Sequence, residues 1–308
     1  MKLFITGGTG FIGQHTLQEL KRRKHRLLVL SRQTRNEPGV NFIKKDFSDI
    51  RGWEGQLKRF RPDAAVHLAW EGIPDFSYVQ SVKNLSGGLA LFSALALVGC
   101  KKIVAVGSGF EYGNRIGKVC ETMNIIPNNP FVAAKHSLHL MGEQLAKENN
   151  MDFIWFRAFN VYGHGQRSGS LIPYIINCIA TGSPLRLKNP LTQGDFVYVG
   201  DMARAIADAI DRGHSLKTYN VSSGQLTPVK EIAKMVCGEM GVNKEYYDDF
   251  LKTVRGRITG GCYAEIKNIR KEIGWRPTTD IKKGIQKTIL DFKKYNENYS
   301  HWFRKFRS

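Results

Sequence analysis

The chain has 308 residues, of which 42% are hydrophobic and 24% are charged, with 31 glycines and 10 prolines. This composition is that of a folded globular protein, and it excludes the collagen-like, low-complexity and wholly disordered classes. Lysine and arginine outnumber aspartate and glutamate by 46 to 27, so the net charge of +19 favours anionic partners such as nucleotides, nucleic acid or acidic lipid without choosing among them.

The first half of the chain alternates short apolar runs with amphipathic stretches, the pattern of strand-helix-strand units around a parallel sheet. Six strands are predicted, at 2–6, 26–30, 41–44, 64–69, 102–106 and 153–157. Helical spacing occupies 11–23, 50–60, 80–98 and 131–149. The sequence therefore predicts an α/β fold with a doubly wound parallel (Rossmann) sheet.

After about Asn160 the segments become longer and richer in glycine and proline, which indicates a smaller C-terminal α/β lobe. Its helices are predicted at 171–181, 200–212, 229–241 and 281–293. We expect residues 1–160 to bind a dinucleotide, with a segment near 195–222 returning to that domain, and residues 161–308 mainly to bind substrate. The tail at 300–308 mixes aromatic and basic residues; it is either a docked or frayed terminus or a contact for a membrane surface or an acidic partner.

A glycine-rich turn stands where the first strand ends and the first helix begins. It reads Thr6-Gly7-Gly8-Thr9-Gly10-Phe11-Ile12-Gly13. Such glycines allow a tight turn, a close approach of backbone to a pyrophosphate and close packing of helix on sheet, with the helix N-terminus facing the phosphates. The turn therefore predicts dinucleotide binding.

The end of the second strand indicates which dinucleotide binds. An NAD-binding protein usually places an aspartate or glutamate there, on the ribose hydroxyls, whereas this chain has Ser31 and Arg32. A guanidinium beside a hydroxyl suits a 2′-phosphate, so NADP is favoured and NAD is the second choice. The alternative is that Arg32 and Arg35 are solvated loop residues.

Several classes of partner and site are not expected. The five cysteines are widely spaced and form no CxxC pair, which argues against a disulfide framework and a thiolate metal site and favours the cytoplasm. No signal peptide, no integral membrane segment, no nucleic-acid-binding motif and no metal-ligand spacing is evident. His67 is expected to be packed in the core.

The sequence resembles the extended short-chain dehydrogenase/reductases, in the branch that modifies nucleotide-activated sugars, over nearly the whole chain. The motifs that carry the resemblance are TGGTGFIG from Thr6, Asp46 in KKDFSD, HLAW from His67, Asn84, GSGFEYG from Gly107, PFVAAK from Pro130, RAFNVYGHGQ from Arg157, GDFVYVGDMA from Gly194 and GWRP from Gly274. Their order and spacing are jointly specific. The resemblance implies a homodimer formed through the helices that hold Asn84 and Lys135.

The resemblance also implies roles for residues. The expected cofactor contacts are Gly7, Thr9, Gly10, Phe11, Ile12, Gly13, Ser31, Arg32, Asp46, Phe47, Ala69 and Lys135. The expected contacts to a nucleoside-diphosphate sugar are Ser108, Gly109, Asn160, Leu171 and Arg255. Relatives carry a phosphate-binding arginine where this chain has Gly194, so that contact is either missing or supplied by Arg167, Arg186 or Arg257.

Catalysis in this family uses a serine or threonine, a tyrosine and a lysine, which match Ser108, position 131 and Lys135. Position 131 is phenylalanine, which keeps the shape of the ring but supplies no proton. Phe131 is an engineered substitution that traps ligand, a natural replacement with the proton supplied by Tyr112, His136 or water, or a mark of lost activity. Glu111 could act as acid or base if buried, or it could be hydrogen-bonded to a loop.

The reaction is narrowed by the two residues after Ser108. Sugar dehydratases of this branch carry an aspartate-glutamate pair there, whereas this chain has Gly109 and Phe110. Together with Arg32, this favours NADPH-dependent reduction of a nucleoside-diphosphate 4-keto-6-deoxy sugar. The alternatives are an NAD-dependent nucleotide-sugar epimerase and a catalytically silent sugar-nucleotide-binding relative.

Overall fold

The computed structural model describes residues 1–33, 36–213, 215–242 and 244–295. Its strands are β1 (Lys2–Thr6), β2 (Arg26–Ser31), β3 (Val40–Lys44), β4 (Ala64–His67), β5 (Lys102–Val106), β6 (Gly117–Val119), β7 (Asp152–Ala158), β8 (Val161–Tyr162), β9 (Gln193–Asp195), β10 (Val197–Tyr198), β11 (Lys217–Val221), β12 (Leu226–Pro228) and β13 (Cys262–Ala264). The tail at 300–308 and Arg35 lie outside the described residues, as do the interpretations attached to them.

The helices complete the chain between these strands. They are α1 (Phe11–Arg22), α2 (Ile50–Phe60), α3 (Tyr78–Leu97), α4 (Pro130–Glu148), α5 (Leu171–Thr181), α6 (Val199–Arg212), α7 (Val229–Met240), α8 (Lys244–Thr253), α9 (Lys267–Ile273) and α10 (Ile281–Tyr295), with a 3-10 turn, η1, at Gly109–Tyr112. The ten longer predicted elements of the first domain are all present, and most bounds agree within two residues. The short strands and the helices α8 and α9 were not predicted.

Seven parallel strands form the central sheet, in the order β3-β2-β1-β4-β5-β7-β11. The order reverses direction beside β1, which creates the crevice at the carboxyl ends of β1 and β4 where doubly wound folds bind ligands. The prediction of a doubly wound parallel sheet is therefore confirmed.

Helices cover both faces of this sheet, so its strands are buried on both sides. One core contains side chains of α1, α6 and α9 packed on the sheet, and the other contains side chains of α2, α3 and α4. Helix α1 buries Gly13, Thr16, Leu17 and Leu20, whose spacing of three or four residues forms a single stripe. This packing holds the glycine turn that precedes α1 against the sheet.

A second lobe lies around a separate apolar core. Its buried residues come from α5, α7, α8 and α10, including Ile175, Val236 and Phe250. The chain returns to the central sheet at β11, which pairs in parallel with β7. All five cysteines are free thiols, and within the described ranges no helix is long and apolar enough to cross a membrane.

Candidate functional site

The glycine turn is built so closely that side chains are excluded from it. Gly7 has a φ of +72°, and a Cβ there would lie 2.6 Å from the backbone nitrogen of Ala69, at the end of β4. A Cβ on Gly13 would collide with the carbonyl oxygen of Gly7. Gly10, the N-cap of α1, has no side chain that could cap the first backbone N–H groups. The turn therefore presents bare backbone donors at a helix N-terminus, which fits the pyrophosphate of a dinucleotide.

This turn forms one end of a cleft with a volume of about 1380 Å³. The cleft runs past the ends of β1, β2, β4 and β5 to the loops of the second lobe. Among the described residues of its wall, the carboxylate is Glu71 and the cations are Arg32, Lys45, Arg115, Lys135 and Arg167. Such an excess of positive charge in a concave site attracts anionic ligands.

At the end of β2 the cleft carries a hydroxyl and a guanidinium. The Ser31 Oγ lies 2.9 Å from the Thr9 Oγ, and a nitrogen of Arg32 lies 3.1 Å from a carboxylate oxygen of Glu71. Arg32 remains two-thirds exposed, and Lys83 also pairs with Glu71, at 2.9 Å. The Arg32 side chain is thus held over the cleft with room to contact a further anion.

At the end of β5, Ser108 begins the turn η1. Its Oγ accepts a hydrogen bond of 3.1 Å from the backbone N–H of Phe110, and its own N–H donates to the Glu111 carboxylate at 2.8 Å. This reciprocal capping box fixes the direction of the serine side chain. Because the Oγ is bonded as an acceptor, its O–H is available to donate to a ligand oxygen in the cleft.

Lys135 projects from α4 into the same end of the cleft. Its Nζ donates to the carbonyl oxygen of Val106 at 2.8 Å and lies 3.9 Å from the centre of the Trp70 ring. The side chain is 5% exposed. Burial disfavours the charged ammonium and lowers the pKa of Lys135 to about 7, while the negative charge of Glu111 acts in the opposite direction.

Phe131, one turn before Lys135, belongs to an aromatic cluster. Its ring stacks on Phe76 with centroids 4.6 Å apart and meets Trp70 edge-on at 5.4 Å. The Phe110 ring meets the Phe76 ring edge-on, with centroids 6.3 Å apart. All four aromatic residues line the cleft. The wall at this end is therefore apolar, and position 131 provides shape and no proton.

Two of the proposed proton sources, Tyr112 and His136, are absent from the wall. The Tyr112 hydroxyl donates to the Asn220 Oδ1 at 2.8 Å and accepts from an Arg157 nitrogen at 3.0 Å, inside the protein. Burial raises the pKa of Tyr112. Glu111 is also fully buried and accepts hydrogen bonds from Trp155 and Arg157. It supports the turn η1, as the loop interpretation of this residue expected.

The fold brings together three possible metal ligands that the sequence spacing did not reveal. One ligand atom each of Glu111, His136 and His139 lies within 4.8 Å of the others. The Glu111 carboxylate already accepts from the backbone of Ser108, from Trp155 and from the guanidinium of Arg157. A cation would meet that positive charge in a buried setting, so this cluster suits a hydrogen-bonded network rather than a metal.

The remaining predicted residues divide into two groups. The glycine turn residues Gly7, Thr9, Gly10, Phe11, Ile12 and Gly13 line the cleft, as do Ser31, Arg32, Phe47, Ala69, Ser108, Gly109, Phe131, Lys135 and Asn160. Three predicted contacts lie outside the wall: Asp46, Leu171 and Arg255. The Asp46 carboxylate accepts hydrogen bonds from the Ser48 N–H and hydroxyl, and Arg255 is exposed. His67 is buried against Thr6, and burial lowers its pKa to about 3.

Sequence reasoning missed several polar residues of the wall. Lys45, Arg115, Gln166 and Cys262 line the cleft, and Arg167, one of three alternatives for a missing phosphate contact, lines it as well. Arg167 donates to the carbonyl of Ile73 and so joins the loop after β4 to the second lobe. Lys45 follows β3 directly, and a cation at the end of a parallel strand is a sequence signal for a ligand-binding residue.

The chain is similar to known proteins over most of its length. The family model described as "NAD dependent epimerase/dehydratase family" matches residues 3–222. A dTDP-4-dehydro-6-deoxyglucose reductase of Escherichia coli is 26% identical, over 94% of this chain and 97% of the relative. A dTDP-D-glucose 4,6-dehydratase of Homo sapiens is 24% identical, over 98% of this chain and 91% of the relative.

Solved structures share the whole architecture. A UDP-glucose 4-epimerase of Thermotoga maritima, crystallised with UDP-glucose, superposes with a TM-score of 0.84 at 23% identity and covers 96% of this chain and 99% of its own. A dTDP-glucose 4,6-dehydratase of Bacillus anthracis in complex with NAD gives a TM-score of 0.81 at 22% identity, covering 98% and 99%. At these identities the likeness establishes the fold.

Proposed function

Because this chain belongs to the NAD dependent epimerase/dehydratase family, we propose that it uses NADPH to reduce the keto group of a nucleoside-diphosphate 4-keto-6-deoxy sugar. It is an enzyme of the extended short-chain dehydrogenase/reductase type, and its relatives modify nucleotide sugars. The proposal adds the direction of the reaction, the cofactor and the class of sugar.

The end of β2 carries the cofactor assignment. Ser31 and Arg32 stand where a carboxylate would contact the ribose diol, and Lys45 adds a second cation to the same wall. A 2′-phosphate brings negative charge and acceptor oxygens, which a guanidinium and an ammonium bind well. Glu71 competes for Arg32 in the absence of such a phosphate. The cation Arg32 at this point is the observation on which the choice of NADPH rests.

The part of the cleft around Ser108, which we call the reaction end, supports the reduction of a deoxy sugar. Gly109 and Phe110 replace the carboxylate pair that dehydration would use, and the surrounding wall of Phe76, Phe131 and Trp70 is apolar. An apolar wall favours a methyl substituent over a hydroxymethyl or carboxylate group, because it cannot replace their hydrogen bonds to water. The E. coli relative is named as a reductase of a 4-dehydro-6-deoxy sugar nucleotide, which agrees with this assignment.

The mechanism follows from the positions of the side chains. Bound NADPH supplies the hydride. The Ser108 hydroxyl donates a hydrogen bond to the keto oxygen and stabilises the negative charge that develops there. Lys135, on the cleft wall, would hold the ribose of the bound dinucleotide. Arg115 and Arg167 bind the diphosphate from the second side of the cleft, and the apolar ring of Phe131 excludes water from the reacting carbon.

The test of the function has two steps. First, purified protein is titrated with NADPH and NADH; we expect NADPH to bind at least tenfold more tightly, and Arg32→Ala to remove most of that preference, worth about 1.5–3 kcal/mol for a charge-assisted contact. Arg59→Ala, on the exposed side of α2, is the matched control. Second, NADPH oxidation is followed with 4-keto-6-deoxy sugars on thymidine and uridine diphosphate, and the product is identified by NMR.

Two other experimental results would support the alternative functions. Protein that retains NAD through purification and interconverts two sugar epimers without added NADPH would support the epimerase instead. Ligand binding without turnover, even in Phe131→Tyr, would identify a silent sugar-nucleotide-binding relative.

We also propose a cytoplasmic homodimer formed through α3 and α4. These two helices pack against each other and leave large apolar side chains exposed, among them Tyr78, Val79, Leu140 and Met141. Large apolar side chains that are exposed on two neighbouring helices favour an interface between subunits. Sedimentation at micromolar concentration would give a dimer mass, and Val79→Glu with Met141→Glu would give a monomer.

A further inference from the structure

We propose that Lys135 is itself the proton donor of this reaction, in place of the tyrosine that position 131 lacks. The inference rests on the proposed reduction and identifies the acid that completes it. It assigns to Lys135 a second role beside that of holding the ribose.

The contacts of the Lys135 ammonium group within the protein leave two of its N–H donors for ligands. An ammonium has three N–H donors. One donates to the Val106 carbonyl at 2.8 Å, and the Nζ lies over the face of Trp70 at 3.9 Å. The other two N–H groups make no hydrogen bond among the described contacts. Because Lys135 lines the cleft, one of them can hold the ribose and the other can donate to the keto oxygen. Val106 is two residues before Ser108, so the ammonium and the serine hydroxyl are held at the end of the same strand.

Other proton-bearing groups are poorly placed for this step. Tyr112 is bonded to Asn220 and Arg157 inside the protein, and His136 is absent from the wall. The Ser108 hydroxyl lies on the wall but is too weak an acid to release its proton unaided. Burial raises the pKa of the Cys262 thiol, so that group also keeps its proton. Among the described residues at the end of β5, Lys135 is therefore the suitable acid.

The surroundings of Lys135 tune its acidity. The groups that face it are Glu111 from η1, which favours the charged form, His67 from β4, and the ring of Trp70. His67 is neutral near pH 7, because its pKa is lowered to about 3. Glu111 is engaged by Arg157 and makes no ion pair with the lysine among the described contacts. Burial prevails, and the pKa of Lys135 falls to about 7, near the operating pH at which a general acid is most effective.

The reduction transfers a hydride to the keto carbon and a proton to the keto oxygen. The keto carbon gains the hydride that the reduced dinucleotide supplies, and the electron pair of the broken C=O π bond forms an O–H bond with a proton from the Lys135 Nζ. The products are the alcohol, the oxidised dinucleotide and a neutral amine. Solvent returns one proton to the amine after the ligands leave.

The first test compares pH profiles. In the wild type, kcat should fall about tenfold per pH unit above the pKa of Lys135, because the acid form is required. Lys135→Arg keeps a cation for the ribose but cannot release a proton in this range. We expect it to bind NADPH within about fivefold of the wild type and to lower kcat by about 10²- to 10⁴-fold, with no fall at alkaline pH. Lys135→Gln serves as a second variant should arginine disturb the fold.

The second test uses rescue. Phe131→Tyr in the Lys135→Arg background provides a phenol beside a cation, so kcat should rise by at least tenfold. The same substitution in the wild type adds a second acid to one that is already present, so its gain in kcat should be smaller than the gain in the Lys135→Arg background. A gain of about 10²- to 10⁴-fold in the wild type would show that no acid was in place and would overturn the proposal.

A readout independent of turnover is the titration of the amine. Reductive ¹³C-methylation followed by NMR, with the resonance assigned through Lys135→Arg, should show one lysine titrating about three pH units below the exposed lysines. A wild type without any turnover overturns the proposed function and this inference together. Wild-type turnover that Lys135→Arg leaves intact overturns this inference alone, as does a Lys135 titration at the pH of the exposed lysines.

Discussion

The two ends of the cleft are built from different parts of the chain. Around residues 7–13, backbone atoms form the surface, and even a methyl group at Gly7 or Gly13 would collide with neighbouring backbone. Around the end of β5, by contrast, side chains form the surface, and the chemistry that we propose depends on Ser108, Phe131 and Lys135. We therefore expect a substitution of Ser108 to change the proposed catalysis without disturbing the glycine turn that would hold the dinucleotide.

The largest effect on NADPH binding is expected at the glycine turn. In Gly13→Ala the new Cβ meets the carbonyl of Gly7, and the turn must open to accept it. NADPH affinity should fall by at least about 100-fold, because the pyrophosphate donors lose their alignment. Fluorescence titration measures this change. Gly238→Ala in α7, where the Cβ would meet no atom, is the control and should bind NADPH like the wild type.

At the end of β5, Ser108→Ala should separate catalysis from NADPH binding. The variant loses the hydroxyl that we propose as the donor to the keto oxygen, so kcat should fall by about 10- to 1000-fold while NADPH binding changes by less than threefold. Steady-state kinetics and titration give both numbers. Ser77→Ala removes a comparable helix cap at α3, at a residue that is not part of the cleft wall, and should lower stability without affecting kcat. Equal losses of kcat in the two variants would contradict the role of Ser108.

The smallest effect concerns stability at the reaction end. The pKa of Lys135 is lowered from its ordinary value, so the folded state disfavours the ammonium, and the resulting penalty is complete below pH 7. As the pH rises from 7 towards 10.5, the folded protein loses this proton first and the penalty shrinks. Lys135→Met should therefore raise Tm by about 2–5 °C at pH 6 and by less at pH 9. Calorimetry at both pH values checks the sign; an equal gain at both would refute it.

The same contrast explains what could be predicted from the sequence. The glycine turn and the helices of the first domain follow local patterns, and their predicted positions agree with the structure. Phe131 was recognised as a departure, but its stacking on Phe76 joins residues 55 positions apart, which no local pattern reports. The convergence of Glu111, His136 and His139 likewise depends on how η1 packs against α4. Arg115 lies on an irregular loop, where periodicity gives no direction.

The charged contacts of α1 bear on how the molecule is assembled. Arg23, directly after this helix, pairs with Asp208 and Asp211 of α6, at 2.9 and 2.7 Å, across 185 and 188 residues of sequence. Helix α1 is synthesised well before α6, so Arg23 meets these partners only after about 190 further residues have been made. Until then the face of α1 that meets α6 is uncovered, and the edge of β7 lacks its partner β11. Nascent chains that end before β11 should therefore depend on chaperones.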